Sequence, residues 1–186
     1  MLEIIKAVIL GIVQGITEWL PISSTGHLIL VERFLRLNQS QEFKDLFVVI
    51  IQFGSILAVL TLYFHKLNPF SPKKSVQEKR DTWSMWFKVI IAMLPAAVAG
   101  VLLDNLVTST LSVPFVIALA LIVYGVLFIL IERQHKKPRI SSIDEMSYKT
   151  ALLIGVFQVL SLIPGTSRSG STILGAVILG TSRSVA

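Results

Sequence analysis

GIVQGITEWLPISSTGHLILV, residues 11–31, is the stretch that decides how this chain folds. It places a carboxylate (Glu18), an imidazole (His27) and three consecutive hydroxyls in an otherwise apolar segment. Ionisable groups at membrane depth are costly and are usually functional. Pro21 would also interrupt a continuous helix, and irregular backbone within a bilayer needs surrounding protein or a water-filled cavity. The sequence therefore predicts a re-entrant helix-loop-helix over residues 2–31 that carries part of a functional site.

A second polar island, PGTSRSGST at residues 164–172, surrounds Arg168 with five hydroxyls. It lies near the middle of the mostly apolar residues 150–182, which predict a second re-entrant segment. An acid and a histidine in one island and an arginine in the other suggest a single site that both islands build.

Long apolar runs set the class of the protein. Residues 46–64 and 111–131 have no charged side chain over 19 and 21 positions, about the length that crosses a bilayer. Residues 89–103 are a shorter candidate span with Pro95 inside, which is tolerable where neighbouring helices satisfy the freed carbonyl. These runs predict an all-α polytopic membrane protein. We expect no removable signal peptide, and the lack of cysteine excludes disulfides and thiolate metal sites.

The net charge of +6 predicts membrane orientation rather than nucleic-acid binding, because the basic residues concentrate in two connections between apolar runs. Cytoplasmic loops of membrane proteins are rich in Lys and Arg, so both connections are expected in the cytoplasm. The segment around Asp104 is then expected outside. The basic residues are Lys66, Lys73, Lys74, Lys79 and Arg80 in the first connection and Arg133, Lys136, Lys137, Arg139 and Lys149 in the second.

The chain shows weak self-similarity at an offset of 143 to 144 residues. The matching positions are Gly11 and Gln14 with Gly155 and Gln158, Pro21 with Pro164, Ser23-Ser24 with Thr166-Ser167, and Leu28-Ile29-Leu30 approximately with Thr172-Ile173-Leu174. Three spans separate the islands, so a second copy would enter the membrane from the opposite face. We therefore expect inverted repeats, with residues 1–145 as the first and 146–186 as the start of the second.

Glu18 carries the strongest chemical expectation in the first island. A lone carboxylate in apolar surroundings must be protonated, paired or bound to a cation, and the candidates are His27, Arg168 and a divalent metal. The hydroxyls of residues 23–25 with Gly26 suit either a helix N-cap or an anion site. His27 alone would be read as structural, but its proximity to Glu18 favours a functional role.

Arg168 with its hydroxyls has the donors that a phosphoryl group requires: a planar guanidinium fork and neutral groups for the remaining oxygens. Together the islands could support phosphoryl transfer, with Glu18 or His27 managing the proton. Ser24 is the expected nucleophile, and a water activated by Glu18 or His27 is the alternative. The expected catalytic residues are Glu18, Ser24, His27 and Arg168, and the expected phosphate ligands are Ser23, Thr25, Gly26, Ser167, Arg168, Ser169 and Thr172.

The motifs QGITEWLPISSTGH and PGTSRSGST, with VIIQFGSILAV between them, closely resemble those of bacterial undecaprenyl-diphosphate phosphatases of the bacitracin-resistance type. The resemblance implies an inner-membrane enzyme that removes one phosphate from undecaprenyl diphosphate and so recycles the lipid carrier for peptidoglycan and cell-wall synthesis. It also implies a divalent cation (Mg²⁺ or Ca²⁺), a site facing the periplasm or cell exterior, and a homodimer.

Two departures from that family stand out. Gln14 takes a position where many relatives have glutamate, so Glu18 is the only carboxylate of the implied metal pair Gln14 and Glu18. Relatives also continue past the region matching Arg183 with further membrane helices, so the chain resembles about two thirds of the family's length.

A transporter or flippase of an anionic polyprenyl lipid is the main alternative, since broken helices in inverted repeats also describe secondary transporters. Such a protein needs Arg168 but neither a nucleophile nor a general base. A non-catalytic scaffold would need none of these side chains.

Overall fold

A computed structural model of the chain describes residues 2–111, 113–133 and 137–186. Within these ranges there is no β-strand, only an isolated parallel bridge between Ile140 and Thr181. A π-helical turn, Val107–Leu111, and a 3-10 turn, Val159–Leu162, follow the fifth and seventh helices. The eight α-helices of the described ranges are α1 Leu2–Thr17, α2 Ser24–Phe34, α3 Gln41–Leu62, α4 Phe64–Leu67, α5 Val76–Leu106, α6 Pro114–Glu132, α7 Tyr148–Gln158 and α8 Arg168–Ile178.

Three of the described helices, α3, α5 and α6, are long and apolar enough to cross a membrane. Large apolar side chains stand exposed along all three, as at Val49, Val101 and Ile122. Such surfaces are stable only in an apolar surrounding, which lipid provides. The predicted all-α, multi-pass membrane class is confirmed.

The membrane helices differ from the predicted spans at their ends. The expected span 89–103 lies toward the C-terminal end of α5, whose 31 residues run from Val76 to Leu106. A capping box starts this helix, because the Ser75 hydroxyl accepts from the Glu78 amide at 3.2 Å and the Glu78 carboxylate accepts from the Ser75 amide at 2.7 Å. Asp104, expected in a connection, lies near the end of α5. Hydropathy locates only the apolar part of a helix, so the sequence did not predict the charged first turns of α5. Of the basic residues expected in the second connection, Lys136 lies outside the described residues.

Helices α1 and α2 form a hairpin whose two ends meet. Leu10, Leu28 and Leu37 make its buried core, with part of α3 packed against them. The Lys6 ammonium donates to a Glu3 carboxylate oxygen at 2.7 Å and to the Arg36 carbonyl at 2.8 Å. The start of α1 is therefore held beside the end of α2.

Helices α7 and α8 form a second hairpin that also closes at its base. The Arg139 amide donates to the Gly180 carbonyl at 2.7 Å, and the Ser182 amide donates to the Ile140 carbonyl at 2.8 Å. A Cβ at Gly175 would lie 2.6 Å from Cβ of Phe157, so only glycine permits this approach of α8 to α7. That either hairpin is re-entrant in a bilayer stays a prediction.

A buried lysine ties the base of the second hairpin to α5. Lys88 is only 6% exposed, and its ammonium donates to the Ile143 carbonyl at 2.7 Å. It also lies 5.9 Å from the ring centroid of Tyr148, at the first residue of α7. Carbonyl ligands and an aromatic face are what a desolvated ammonium requires.

Gly155 sets the distance between α5 and α7. A Cβ at this position would overlap the carbonyl oxygen of Ala92 and would lie 3.0 Å from Cδ of Pro95. The neighbouring atoms are α5 backbone and a proline ring, neither of which can rotate away. Side-chain volume at Gly155 must therefore push the helices apart.

We expect Gly155→Ala to lower the thermal stability of the detergent-solubilised protein, by about 1–3 kcal/mol, because overpacked interfaces cost that amount. Gly54→Ala is the matched control, since a Cβ at Gly54 in α3 meets no described atom within 4 Å. Alanine there should be neutral or slightly stabilising through helix propensity. Unfolding followed by tryptophan fluorescence would measure both, and equal melting temperatures would contradict the packing argument.

Candidate active site

The tip of the first hairpin is a strained turn. Ser23 caps α2, and its hydroxyl accepts from the Gly26 amide at 3.3 Å. Its backbone has φ 65° and ψ 97°, a conformation that costs a non-glycine residue on the order of 1–3 kcal/mol. Strain of this kind persists where surrounding structure fixes it, and it is frequent at functional sites.

Glu18 is the centre of a short polar network at this tip. The Ser24 hydroxyl donates to its Oε2 at 2.6 Å, and the Gln14 amide donates to the same oxygen at 2.7 Å. Gln14 is fully buried, and its Oε1 has no hydrogen-bond partner among the described residues. The network thus pairs a serine with a carboxylate and leaves one buried oxygen open to a cation or water.

The second tip forms between the 3-10 turn and α8. Gly165, at φ 93°, takes a left-handed conformation that suits glycine. Ser167 caps α8, and its hydroxyl accepts from the Gly170 amide at 3.0 Å and lies 3.0 Å from the Ser169 hydroxyl. Arg168 is exposed, and no described carboxylate forms an ion pair with it. Its guanidinium is available to an anion.

The two tips share one small cavity of about 100 Å³. All ten side chains that line it are polar, which is unusual for a pocket inside a membrane protein. Glu18 and Ser24 from the first tip therefore lie around the same space as Arg168 from the second. The lining residues are Glu18, Ser23, Ser24, Thr25, Gln52, Ser161, Thr166, Ser167, Arg168 and Ser169.

Four of the predicted site residues do not line this cavity. Gln14 reaches it only through Glu18. Thr172 directs its hydroxyl to the Ser169 carbonyl, at 3.0 Å, within its own helix. A Cβ at Gly26 would lie 3.1 Å from Leu121, so this glycine lets the first tip approach α6.

His27 is the fourth predicted site residue that does not line the cavity, and it contacts the backbone of the first tip instead. Its Nδ1 lies 2.9 Å from the Ser23 carbonyl oxygen. A carbonyl only accepts, so Nδ1 carries the proton and Nε2 is the acceptor in the neutral ring. The functional roles of His27, Gln14, Gly26 and Thr172 stay predictions.

Sequence reasoning assigned no role to two of the lining residues, Gln52 and Ser161, and it counted Thr166 among the five hydroxyls around Arg168 without naming it as a phosphate ligand. Gln52 is the one amide side chain in the uncharged run 46–64, and a strongly polar group on a membrane helix is a signal that would have found it. Ser161 matches Glu18 at the repeat offset, 161 − 18 = 143, so extending the repeat comparison would have found it too.

A larger cavity, of about 350 Å³, lies among the basic residues of the first connection. Its cations face acids, with Lys66 and Lys74 opposite Glu78 and Asp81. The Lys74 ammonium already donates to the Lys66 carbonyl at 2.9 Å and to the Thr82 hydroxyl at 2.7 Å. Because its charges are of both signs and the Lys74 ammonium already has hydrogen-bond partners, this cavity is a weaker candidate for the active site than the cavity between the tips.

The described residues contain no cluster of three or more His, Asp or Glu side chains suited to hold a metal. A hard cation near the cavity could use the carboxylate of Glu18, the buried amide oxygen of Gln14 behind it, and the amide oxygen of Gln52 or the hydroxyls of the lining. Mg²⁺ binds through few protein oxygens when it keeps its waters and contacts substrate phosphates. The donor set therefore fits a cation held jointly by protein and substrate.

The chain is similar to several known proteins over almost all of its length. A relative from Limosilactobacillus fermentum is 60% identical over 188 aligned residues, covering 100% of this chain and 68% of the relative. Relatives from Streptococcus thermophilus and Enterococcus faecalis are 58% and 56% identical and cover 100% and 97% of this chain. Each is named undecaprenyl-diphosphatase.

The chain spans about two thirds of the length of these relatives, 65% of the Streptococcus and 66% of the Enterococcus protein. The sequence pattern of the family described as Bacitracin resistance protein BacA matches residues 7–186. This match confirms the family that the two motifs predict. The chain belongs to the bacitracin resistance protein BacA family.

Proposed function

We propose that the intact protein hydrolyses undecaprenyl diphosphate to undecaprenyl phosphate and inorganic phosphate within the membrane. The names of its relatives support this activity. The observation that carries it is the 2.6 Å hydrogen bond from the Ser24 hydroxyl to Glu18, in a cavity that Arg168 also lines. A hydroxyl, a base and an unpaired guanidinium around one space are the groups that phosphoryl transfer needs.

Binding of the diphosphate would rely on both helix starts. Ser24 opens α2 and Arg168 opens α8, so first-turn residues of two helices line the cavity. Amides at helix N-termini favour anions, and a guanidinium adds a fork that matches two phosphate oxygens. The hydroxyls of Ser23, Thr25, Ser167 and Ser169 would hold the remaining oxygens.

The chemical step we favour is attack by the Ser24 Oγ on the terminal phosphorus. As the Oγ–P bond forms, the hydroxyl proton passes to Glu18 and the bond to the bridging oxygen breaks, releasing undecaprenyl phosphate. Glu18 passes this proton on to the departing undecaprenyl phosphate. Water then attacks the phosphoserine and gives a proton to Glu18, the P–Oγ bond breaks, and Glu18 returns the proton to the Ser24 oxygen as inorganic phosphate leaves. Direct attack by a water beside Glu18 is the alternative. Ser24 is favoured because its hydrogen bond to a carboxylate is already formed.

A divalent cation, Mg²⁺ or Ca²⁺, completes the proposal. Gln14 and Glu18 would hold it, and the buried Oε1 of Gln14 supports this assignment because it lacks a protein donor. When bound, such a cation neutralises charge on the diphosphate oxygens. His27 would keep the tip in place through the Ser23 carbonyl and stays a predicted proton acceptor.

Both hairpins are proposed to be re-entrant and to belong to inverted repeats, residues 1–145 and the partial copy 146–186. The starts of α2 and α8 are built alike, which supports the repeat: Ser23 and Ser167 each cap a helix and each accept from the glycine three residues later. This equivalence is one residue out of the sequence pairing, which matched Ser24 with Ser167. With both basic connections in the cytoplasm, the first hairpin would enter from the periplasm or cell exterior. The cavity would then be reached from that side of the inner membrane.

The biological consequences are proposed with the activity. Hydrolysis would recycle the lipid carrier for cell-wall synthesis and would confer the resistance for which the family is described. A homodimer stays a prediction. A transporter of the same lipid would require Arg168 but no Ser24–Glu18 pair, so variants of that pair separate the two functions.

We expect Glu18→Gln and Ser24→Ala each to reduce phosphate release from undecaprenyl diphosphate by about 10²-fold or more, since each removes a participant in proton transfer or attack. Arg168→Ala should cause a comparable loss. Ser55→Ala is the matched control, because this buried hydroxyl donates to the Ile51 carbonyl of its own helix, at 3.3 Å, and lies outside the cavity. Full phosphate release by the Glu18 and Ser24 variants would contradict hydrolysis by this pair, whereas a wild-type protein that releases no phosphate would favour the transporter.

Attack by Ser24 predicts a phosphoserine intermediate. Acid quenching of a reaction with substrate labelled at its terminal phosphate should trap label on the wild-type chain but none on Ser24→Ala. A wild-type protein that turns over at full rate without trapped label on any time scale would favour attack by water.

The proposed orientation is testable because residues 1–186 contain no cysteine, so a thiol introduced there is the only one in this part of the protein. Asn38 and Lys73 are exposed and lie in the connections after α2 and before α5. In intact cells, Asn38→Cys should react with a membrane-impermeant thiol reagent, whereas Lys73→Cys should react only after the cells are opened. The reverse pattern would overturn the orientation.

A further inference from the structure

One face of α6 supports both hairpin tips. Ile117, Leu121, Tyr124 and Phe128 are spaced by four, three and four residues, so they form a single stripe along this helix. All four are partly buried, whereas most other positions of α6 are exposed. The stripe is therefore the side of α6 that meets protein rather than lipid.

The contacts of this stripe reach both tips at their glycines. A Cβ at Gly26, in the first tip, would lie 3.1 Å from Leu121. In the second tip, a Cβ at Gly165 would lie 2.7 Å from the Ile117 carbonyl oxygen, and one at Gly170 would lie 3.2 Å from Phe128. Both tips thus rest against α6 where they have no side chain.

Tyr124 contributes the polar contact of the stripe. Its hydroxyl lies 2.8 Å from the hydroxyl of Ser171, which is 1% exposed. The Ser171 hydroxyl in turn donates to the Ser167 carbonyl at 2.9 Å. Because a serine has one proton to donate, Tyr124 must be the donor in the first of these bonds. Two hydrogen bonds with a fixed direction therefore connect Tyr124 to Ser171 and Ser171 to the Ser167 carbonyl.

The second of these hydrogen bonds ends at the peptide bond between Ser167 and Arg168. The Ser167 carbonyl carbon is bonded to the Arg168 nitrogen, and Ser167 itself lines the cavity. Apart from Glu132 at the end of the helix, Tyr124 is the one residue of α6 with a hydrogen-bonding side chain, in an otherwise apolar span. A phenylalanine would fill the same volume, so packing alone does not explain the hydroxyl.

We propose that Tyr124 is a positioning residue of the phosphatase: its hydroxyl fixes the first turn of α8 so that the Arg168 guanidinium meets the phosphoryl group. The inference rests on the proposed hydrolysis. Tyr124 does not line the cavity and takes no part in the chemistry itself. Its effect is transmitted through Ser171 and the Ser167–Arg168 peptide.

The test is Tyr124→Phe in the intact protein, assayed for phosphate release from undecaprenyl diphosphate. We expect kcat to fall about tenfold with KM changed less than twofold, because the arginine is misplaced for the transition state while the lipid tail still binds. Ser171→Ala should give the same loss, and the double variant should be no worse than either single variant. Tyr63→Phe, which removes an exposed hydroxyl at the end of α3, is the matched control and should match the wild type.

A double-mutant cycle that combines Tyr124→Phe with Arg168→Lys distinguishes an effect on the position of Arg168 from a general loss of protein stability. If Tyr124 acts through Arg168, then Tyr124→Phe should change kcat less than twofold when lysine replaces the arginine. An equal tenfold loss in that background, or wild-type kcat in the Tyr124→Phe protein, would overturn the inference.

Amide hydrogen exchange tests the role of Tyr124 without an activity assay, so its outcome does not depend on the proposed hydrolysis. Amides of residues 168–171 should exchange faster in Tyr124→Phe and in Ser171→Ala than in Tyr63→Phe. A wild-type protein that releases no phosphate would overturn the hydrolase proposal alone, whereas unchanged exchange in both variants would overturn the role of Tyr124.

Discussion

The structure depends on the rule that a polar group taken out of water must find another polar group. The hairpin tips carry a carboxylate, a guanidinium and seven hydroxyls into a molecule whose outer surface is largely apolar. Even with the tips side by side, Arg168 has no described ion-pair partner and Gln14 keeps a buried oxygen without a partner. The two tips share one polar cavity, so their polar side chains face each other and not the surrounding lipid. The groups left unsatisfied there are the ones that a charged ligand can use.

Glycine makes this arrangement sterically possible. The contacts of Gly155 with α5, Gly175 with α7 and Gly165 with α6 all bring backbone close to a neighbouring helix or turn. Membrane helices gain little from the hydrophobic effect between them, so close van der Waals contact has to supply their association. The second hairpin is therefore placed largely by the absence of side chains, while the first is placed by its leucine core.

Much of this could be predicted from the sequence. The apolar runs indicated the membrane class, and the two islands indicated a shared site, because charges in apolar segments are rare enough to be informative. The ends of α5 could not be predicted in this way, since its first turns are stabilised by the Ser75–Glu78 capping box rather than by hydropathy. Gln52 could have been singled out as the one amide of its span, whereas the role of Tyr124 has no visible partner in the sequence until the helices are packed.

The buried Lys88 makes the two hairpins mechanically unequal. The base of the first is joined by solvent-accessible bonds around Lys6 and Asn38, which are weak and easily exchanged for water. Withdrawing the second from α5 would strip a desolvated ammonium of its carbonyl ligands, at about 3–5 kcal/mol for a buried charge left alone. Separating the base of the second hairpin from its neighbours therefore costs more electrostatic free energy than separating the base of the first, which relies on its leucine core instead.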